Sequence, residues 1–215
     1  MIIAIDGPSA SGKGTLGRRL AARFGLAHLD TGSLYRAAAF EALSRGEDPA
    51  DPVAAEAAAR RVTLAIIDDP RLREEPVTRA SSVIAAIPAV RTALLAFQRD
   101  FAHHPPEGCR GAVLDGRDIG TVVCPDADAK LYITASLEAR AERRFRELRA
   151  GGAGAIYQRV LQDMKERDAR DSGRQAAPLR PADDAFMLDT TTLDADAAFA
   201  AALAYIDGRL AGKPF

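Results

Sequence analysis

Ile2-Ile3-Ala4-Ile5-Asp6-Gly7-Pro8-Ser9-Ala10-Ser11-Gly12-Lys13-Gly14-Thr15-Leu16 is the stretch on which the fold turns. Ile2 to Ile5 form an uninterrupted apolar run, as expected of a parallel strand buried on both faces. Gly7 to Gly12 break it, and an apolar stripe through Leu16, Leu20, Ala21 and Phe24 announces a helix that Gly25 stops. Strand, glycine turn, helix is the context that gives Gly7 to Lys13 its meaning as GxxxxGK. Glycines let backbone N–H groups turn inward around phosphate oxygens, the helix N-terminus adds partial positive charge, and Lys13 can bridge the β- and γ-phosphates. Gly7 through Thr15 are therefore the expected cradle for a nucleoside triphosphate. The residue after Lys13 is Gly14, where many such loops place a hydroxyl on Mg²⁺, so Thr15 becomes the hydroxyl candidate.

Outward from this turn the same rhythm continues. Leu26 to Leu29 read as a second short strand, and Asp30-Thr31-Gly32 opens a helix through Leu34, Tyr35, Ala38 and Leu43. Residues 50–106 hold an Ala-rich helix, a possible strand at Val62 to Ile67, a charged connector at 68–79 and a helix from Pro88. Gly111 to Leu114, Lys130 to Thr134 and Ala185 to Leu188 are further buried-strand patterns. Arg-rich helices over about 136–149 and 155–170 flank Gly151-Gly152-Ala153-Gly154, whose glycines permit a hinge, and a last helix spans about 194–210. Five core strands alternating with helices predict an α/β fold with a doubly wound parallel sheet.

Composition bounds the rest. A chain of 215 residues supports one sizeable core. The net charge of −1 offers no global field for nucleic acid or an anionic membrane, and no aromatic-basic stacking pattern stands out. The cations are 25 Arg and 4 Lys, and the Arg fork suits bidentate phosphate contacts. Cys109 and Cys124 are too few for a disulfide framework, and the N-terminus shows no export pattern, so a cytoplasmic monomer is expected.

Two later motifs fall after strands, at the sheet edge where open α/β sheets bind ligands. Asp30-Thr31-Gly32-Ser33-Leu34-Tyr35-Arg36 follows the second, and Asp115-Gly116-Arg117-Asp118-Ile119-Gly120-Thr121 follows a later one. Carboxylates and guanidiniums thus collect beside the phosphate turn. His28, His103 and His104 form no metal-ligand cluster and read as surface or packing residues. A guanine switch would need an Asn-Lys-x-Asp reader, and the chain contains no Asn.

Together with Arg167-Asp168-Ala169-Arg170-Asp171-Ser172-Gly173-Arg174 and Leu188-Asp189-Thr190-Thr191, these motifs resemble the bacterial cytidylate kinases over nearly the full chain. The resemblance implies transfer of the ATP γ-phosphoryl group to CMP or dCMP, with Mg²⁺. It implies a core at about 1–35, 107–140 and 180–215, a mobile acceptor-binding segment at 36–106 and a mobile lid with its hinge at 141–179. By it, Arg36, Arg117 and Arg174 hold the acceptor phosphate and act with Lys13 in catalysis. Asp171 reaches the sugar, Ser82, Arg91 and Asp118 surround the cytosine edge, Thr31 is a base-side hydroxyl, and Asp115 contacts Mg²⁺ through water. Cytosine presents an exocyclic amine, whereas uracil would present O4 to Asp118, a mismatch of about 1–3 kcal/mol. Arg140, Arg143, Arg144, Arg167 and Arg170 form the pool from which lid arginines would approach. Relatives of this kind usually carry a longer stranded insert ahead of the position of Ser82, so the insert here is shortened. Another small-molecule kinase, for uridylate, adenylate or shikimate, is the nearest alternative.

Overall fold

The computed structural model describes residues 1–152 and 154–211. Five strands, β1 (Ile2–Asp6), β2 (Ala27–Asp30), β3 (Ala112–Gly116), β4 (Ala129–Thr134) and β5 (Phe186–Asp189), form one sheet in the order β2-β3-β1-β4-β5. All neighbours pair in parallel. The period-two alternation of a strand sorts β1 between two cores. Ile3 and Ile5 pack with Leu16 and Leu20 of helix α1 (Lys13–Phe24) and Ala202 and Ile206 of the last helix, Ala195–Leu210. Ala4 faces the other way, with Leu34 and Ala38 of α2 (Thr31–Ser44) and a helical cluster beyond it.

That cluster is α3 (Pro52–Arg60), α4 (Glu75–Ile84) and α5 (Pro88–His103), each with a proline in its first turn, where a missing N–H costs nothing. Here one expectation fails. Val62 to Ile67 is not a strand: Leu64–Ile66 form a single 3₁₀ turn with Leu64 half exposed. Both sheet edges, β2 and β5, lie elsewhere, so this apolar run has no ladder to join and packs Val62 and Ile67 against the helices instead. The charged connector is likewise structured, as a 3₁₀ turn over Pro70–Arg73 followed by α4. Ser82 therefore lies in the last turn of α4.

Helices α6 (Leu137–Ala150) and α7 (Tyr157–Gly173) form a hairpin around Ala141, Val160 and Met164. Gly151 ends α6 and Gly152 takes a left-handed turn at φ 81°. The hinge proposed at 151–154 includes Ala153, which lies outside the described residues. The last helix is α8 (Ala195–Leu210), capped by Asp194, which accepts from the N–H groups of Asp196 and Ala197. Among the described residues no single helix is long and apolar enough to cross a membrane.

The register decides where chemistry sits. Asp6 lies opposite Gly116, Asp30 opposite Asp115 and Thr134 opposite Asp189, so the loops after all five strands open at one edge. β1, with the glycine turn at its tip, is the central strand.

Candidate active site

The glycine turn is shaped by its neighbours. Gly12, at φ 98°, sits at the N-terminus of α1, and Ala10 holds φ 59°, a left-handed conformation costing an L-residue about 1–2 kcal/mol. A side chain at Gly7 would run into the Ile133 carbonyl on β4. Thr190 donates to the Ser11 carbonyl at 3.0 Å, and Arg140, which also donates to Ala135, reaches the Ser9 carbonyl at 3.4 Å and Asp168 at 2.6 Å. Lys13 is buried, its Nζ donating to the Pro8 carbonyl at 2.6 Å and to Ser11 Oγ at 3.4 Å. Burial, and next the Arg117 guanidinium, pull the Lys13 pKa down to about 7.

Beyond the turn the ionic side chains fall into two groups. The first surrounds Lys13. Arg36 pairs with Asp30 at 2.7 Å, and Arg117 donates through Nε to Asp171 at 2.8 Å. Arg167 of α7 joins them: burial, then the repulsion of Arg117, lowers its pKa to about 10, with Arg36 and Arg144 adding to the effect. Burial alone would lower Arg117 and raise Asp171, but their mutual attraction outweighs it, so both remain charged.

The second group holds Tyr35, Arg91, Asp118 and Arg174. Arg91 pairs with Asp118 and lies 5.5 Å over the Tyr35 ring. Arg174 caps α7, donates to the Ala177 carbonyl at 2.6 Å, and stands 4.0 Å from Asp118 and 3.9 Å from Asp171. Asp171 thus touches both groups, through Arg117 on one side and Arg174 on the other. Ser82 donates to the Arg79 carbonyl and accepts from Arg170 at 3.2 Å, which ties α4 to α7. So Arg36 and Arg117 share one neighbourhood, with Arg167 beside them, whereas Arg174 stands with Arg91 and Asp118. Of the five arginines on α6 and α7 singled out in the sequence, Arg143 bonds Thr190, Arg144 bonds Glu147 and Arg170 bonds Ser82, whereas Arg140 reaches the glycine turn and Arg167 stands beside Arg117.

Three buried guanidinium N–H groups here, Arg36 Nε, Arg167 Nε and Arg174 Nη2, have no hydrogen-bond partner. An unmet buried donor costs about 1–3 kcal/mol, which the oxygens of a phosphate would relieve.

Asp115, at the end of β3, lies against α1, with Oδ2 4.0 Å from where a Cβ at Gly14 would stand. Thr31 donates to the Asp115 carbonyl at 2.8 Å, joining the first residue of α2 to β3. His28 corrects its reading as a surface or packing residue: Nε2 is 2.8 Å from Asp115 Oδ2. No group of three His, Cys, Asp or Glu that could hold a metal occurs among the described residues. One carboxylate beside a phosphate turn is nonetheless the donor set Mg²⁺ uses when it arrives on a nucleotide and keeps most of its waters.

Asp6 escaped the sequence reading. Its two oxygens accept from the Ile119 and Gly120 N–H groups at 2.7 and 2.8 Å, pinning the turn that carries Asp118 to the tip of β1. Burial pushes its pKa up to about 7, against the pull of those two N–H groups. Its signal was a lone carboxylate closing an otherwise apolar strand. On the other side of the glycine turn, Ser11, Thr15, Ile133, Arg143, Thr190 and Asp194 are among the residues lining a cavity of about 260 Å³.

A family model described as cytidylate kinase matches residues 3–207. The chain is 58% identical over 218 residues to the cytidylate kinase of Methylocella silvestris, covering 100% of this chain and 99% of that one. It is 58% identical over 203 residues to that of Rhodospirillum rubrum (94% and 95%) and 52% over 212 residues to that of Rhizobium meliloti (99% and 98%). Among solved structures, an uncharacterized protein from Eubacterium ventriosum superposes with a TM-score of 0.54 at 16% identity, covering 97% and 98% of the two chains, a likeness of fold.

Proposed function

The chain belongs to the cytidylate kinase family, and from that premise we propose how its residues divide the transfer of the ATP γ-phosphoryl group to CMP or dCMP. The reaction needs in-line positioning and neutralisation of charge more than a strong base. The turn from Gly7 to Thr15 and Lys13 take the donor phosphates. The cavity beside the turn, lined by Thr15, Arg143, Thr190 and Asp194, suits the rest of the donor nucleotide. Asp115 and Thr15 would hold Mg²⁺, which when bound neutralises charge shared by the β- and γ-phosphates.

Arg36 and Arg117, with Arg167 beside them, take the acceptor phosphate, and Arg174 reaches it from the base side. Arg91, Asp118 and Ser82 read the cytosine edge, Thr31 lies on the base side, and Asp171 addresses the sugar from between the two groups. The observation that carries this reading is Asp171 itself: paired with Arg117 at 2.8 Å and 3.9 Å from Arg174, it spans the two groups as a sugar spans phosphate and base. Segment 36–106 and lid 141–179 close over the acceptor, and Arg170 to Ser82 is the contact through which they meet. Closure keeps water from the γ-phosphate.

The test is a steady-state panel of CMP, dCMP, UMP, AMP and shikimate with ATP and Mg²⁺, run on the protein and on Asp118→Asn. CMP and dCMP should lead. In Asp118→Asn an amide donor faces the base, so kcat/KM for CMP should fall and the UMP-to-CMP ratio should rise about 10- to 100-fold, the equivalent of about 1–3 kcal/mol. An unchanged ratio would remove Asp118 from base reading.

A further inference from the structure

Gly17 is out of place by propensity. It sits in the middle of α1, where a glycine costs about 1 kcal/mol against alanine, and it is buried, so solvent contact does not explain it. Its φ is not in the left-handed region that only glycine tolerates well, so the backbone does not explain it either. What lies above it does. A Cβ at Gly17 would stand 2.8 Å from His28 Nε2, 3.0 Å from His28 Cδ2 and 3.4 Å from Asp115 Oδ2. The His28 ring occupies the space a side chain would fill.

The ring comes from β2, the carboxylate from β3 and the missing side chain from α1, so three elements converge on one hydrogen bond. It is 2.8 Å long, and its partners are 16% and 7% exposed, so water competes weakly. Asp115 Oδ2 is an acceptor, which requires the tautomer of His28 that carries its proton on Nε2. One of the roughly four lone-pair sites of the carboxylate is then committed, and its rotation about the last side-chain bond is fixed.

We infer that His28 is a positioning residue of the transfer reaction: its Nε2–H holds the Asp115 carboxylate in the orientation that anchors the Mg²⁺ of the bound nucleotide, and Gly17 is glycine to admit the ring. The inference rests on the proposed role of Asp115 in Mg²⁺ contact. Partners of this kind, behind a ligand, commonly change metal affinity or activity 10- to 100-fold when removed.

The experiment is calorimetric titration of ADP into the full chain with and without Mg²⁺, reading the gain in affinity that Mg²⁺ confers. His28→Leu should reduce that gain 10- to 100-fold while leaving metal-free ADP affinity unchanged. His28→Gln, whose amide offers an N–H at similar reach, should restore most of it. Gly17→Ala keeps both partners, favours the helix and displaces the ring, so it reads the same bond without deleting it. It should match His28→Leu, and the double variant Gly17→Ala/His28→Leu should be no worse than either. Asp115→Asn separates the two levels. If Asp115→Asn loses the gain while His28→Leu and Gly17→Ala keep it, the positioning role is overturned. If Asp115→Asn also keeps it, the Mg²⁺ reading of Asp115 has failed and the inference falls with it.

Discussion

Replacing Lys13 by methionine is expected to lower kcat by about 10³-fold while leaving the melting temperature at pH 7 unchanged or higher. The size follows from removing a pre-positioned charge from a site where phosphoryl transfer depends on charge neutralisation. The stability sign follows from the buried ammonium. Its folded pKa is down at about 7, from 10.5, through burial and then Arg117. Between those two values the unfolded chain holds a proton that the folded chain does not, so stability rises with pH across that window. At and below pH 7 the full penalty of the buried ammonium is present, and methionine removes it.

The same shift predicts a proton inventory. At pH 8 Lys13 is mostly neutral before nucleotide arrives, and phosphate charge restores its proton. ADP binding at pH 8 should therefore take up nearly one proton, and binding at pH 6 almost none through this residue. Titrations in two buffers of different ionisation heat measure the uptake directly. Persistence of the uptake in Lys13→Met would refute the assignment.

The strands were legible because each is a short, mostly apolar run, four of the five ending at a glycine or a carboxylate and β4 at Thr134, and a parallel sheet buried on both faces leaves that pattern. The stretch from Val62 to Ile84 was not, because a short apolar run reads equally as strand or helix, and only the position of the sheet edges decides. In the site, residue types and loops could be read from motifs, but pairings could not. Arg117 and Asp171 are 54 residues apart and His28 and Asp115 are 87 apart, so only the fold joins them. The division of the arginines turned on one helix end. The periodicity carries α7 to about residue 170, but it runs to Gly173, which puts Arg167 and Asp171 at i and i+4 on one face and makes Arg174 the cap where the chain leaves the helix. Arg167 thereby comes to Arg36 and Arg117, and Arg174 to Arg91 and Asp118.

Arg117→Met is expected to lower kcat/KM for CMP about 10²- to 10³-fold, the loss typical of one positioned donor at developing charge. It has a structural cost as well, since the Arg117 guanidinium neutralises Asp171 at 2.8 Å. Breaking a buried pair from one side costs about 3–5 kcal/mol. Arg174 at 3.9 Å still faces Asp171, which places the cost at the lower end and the fall in melting temperature near 10 °C. That fall would by itself explain some lost activity, so the discriminating variant is Arg117→Met/Asp171→Leu. With both charges gone, apolar side chains fill the gap and stability should return. Activity should not return, and it should stay below that of Asp171→Leu alone, which loses the sugar contact but keeps the Arg117 donor facing the acceptor phosphate. Recovery of both together would make Arg117 a structural residue. Arg117 is also the second cause of the depressed Lys13 pKa. Arg117→Met should therefore raise that pKa and shrink the proton uptake at pH 8, an effect that a purely structural Arg117, remote from Lys13, would not produce.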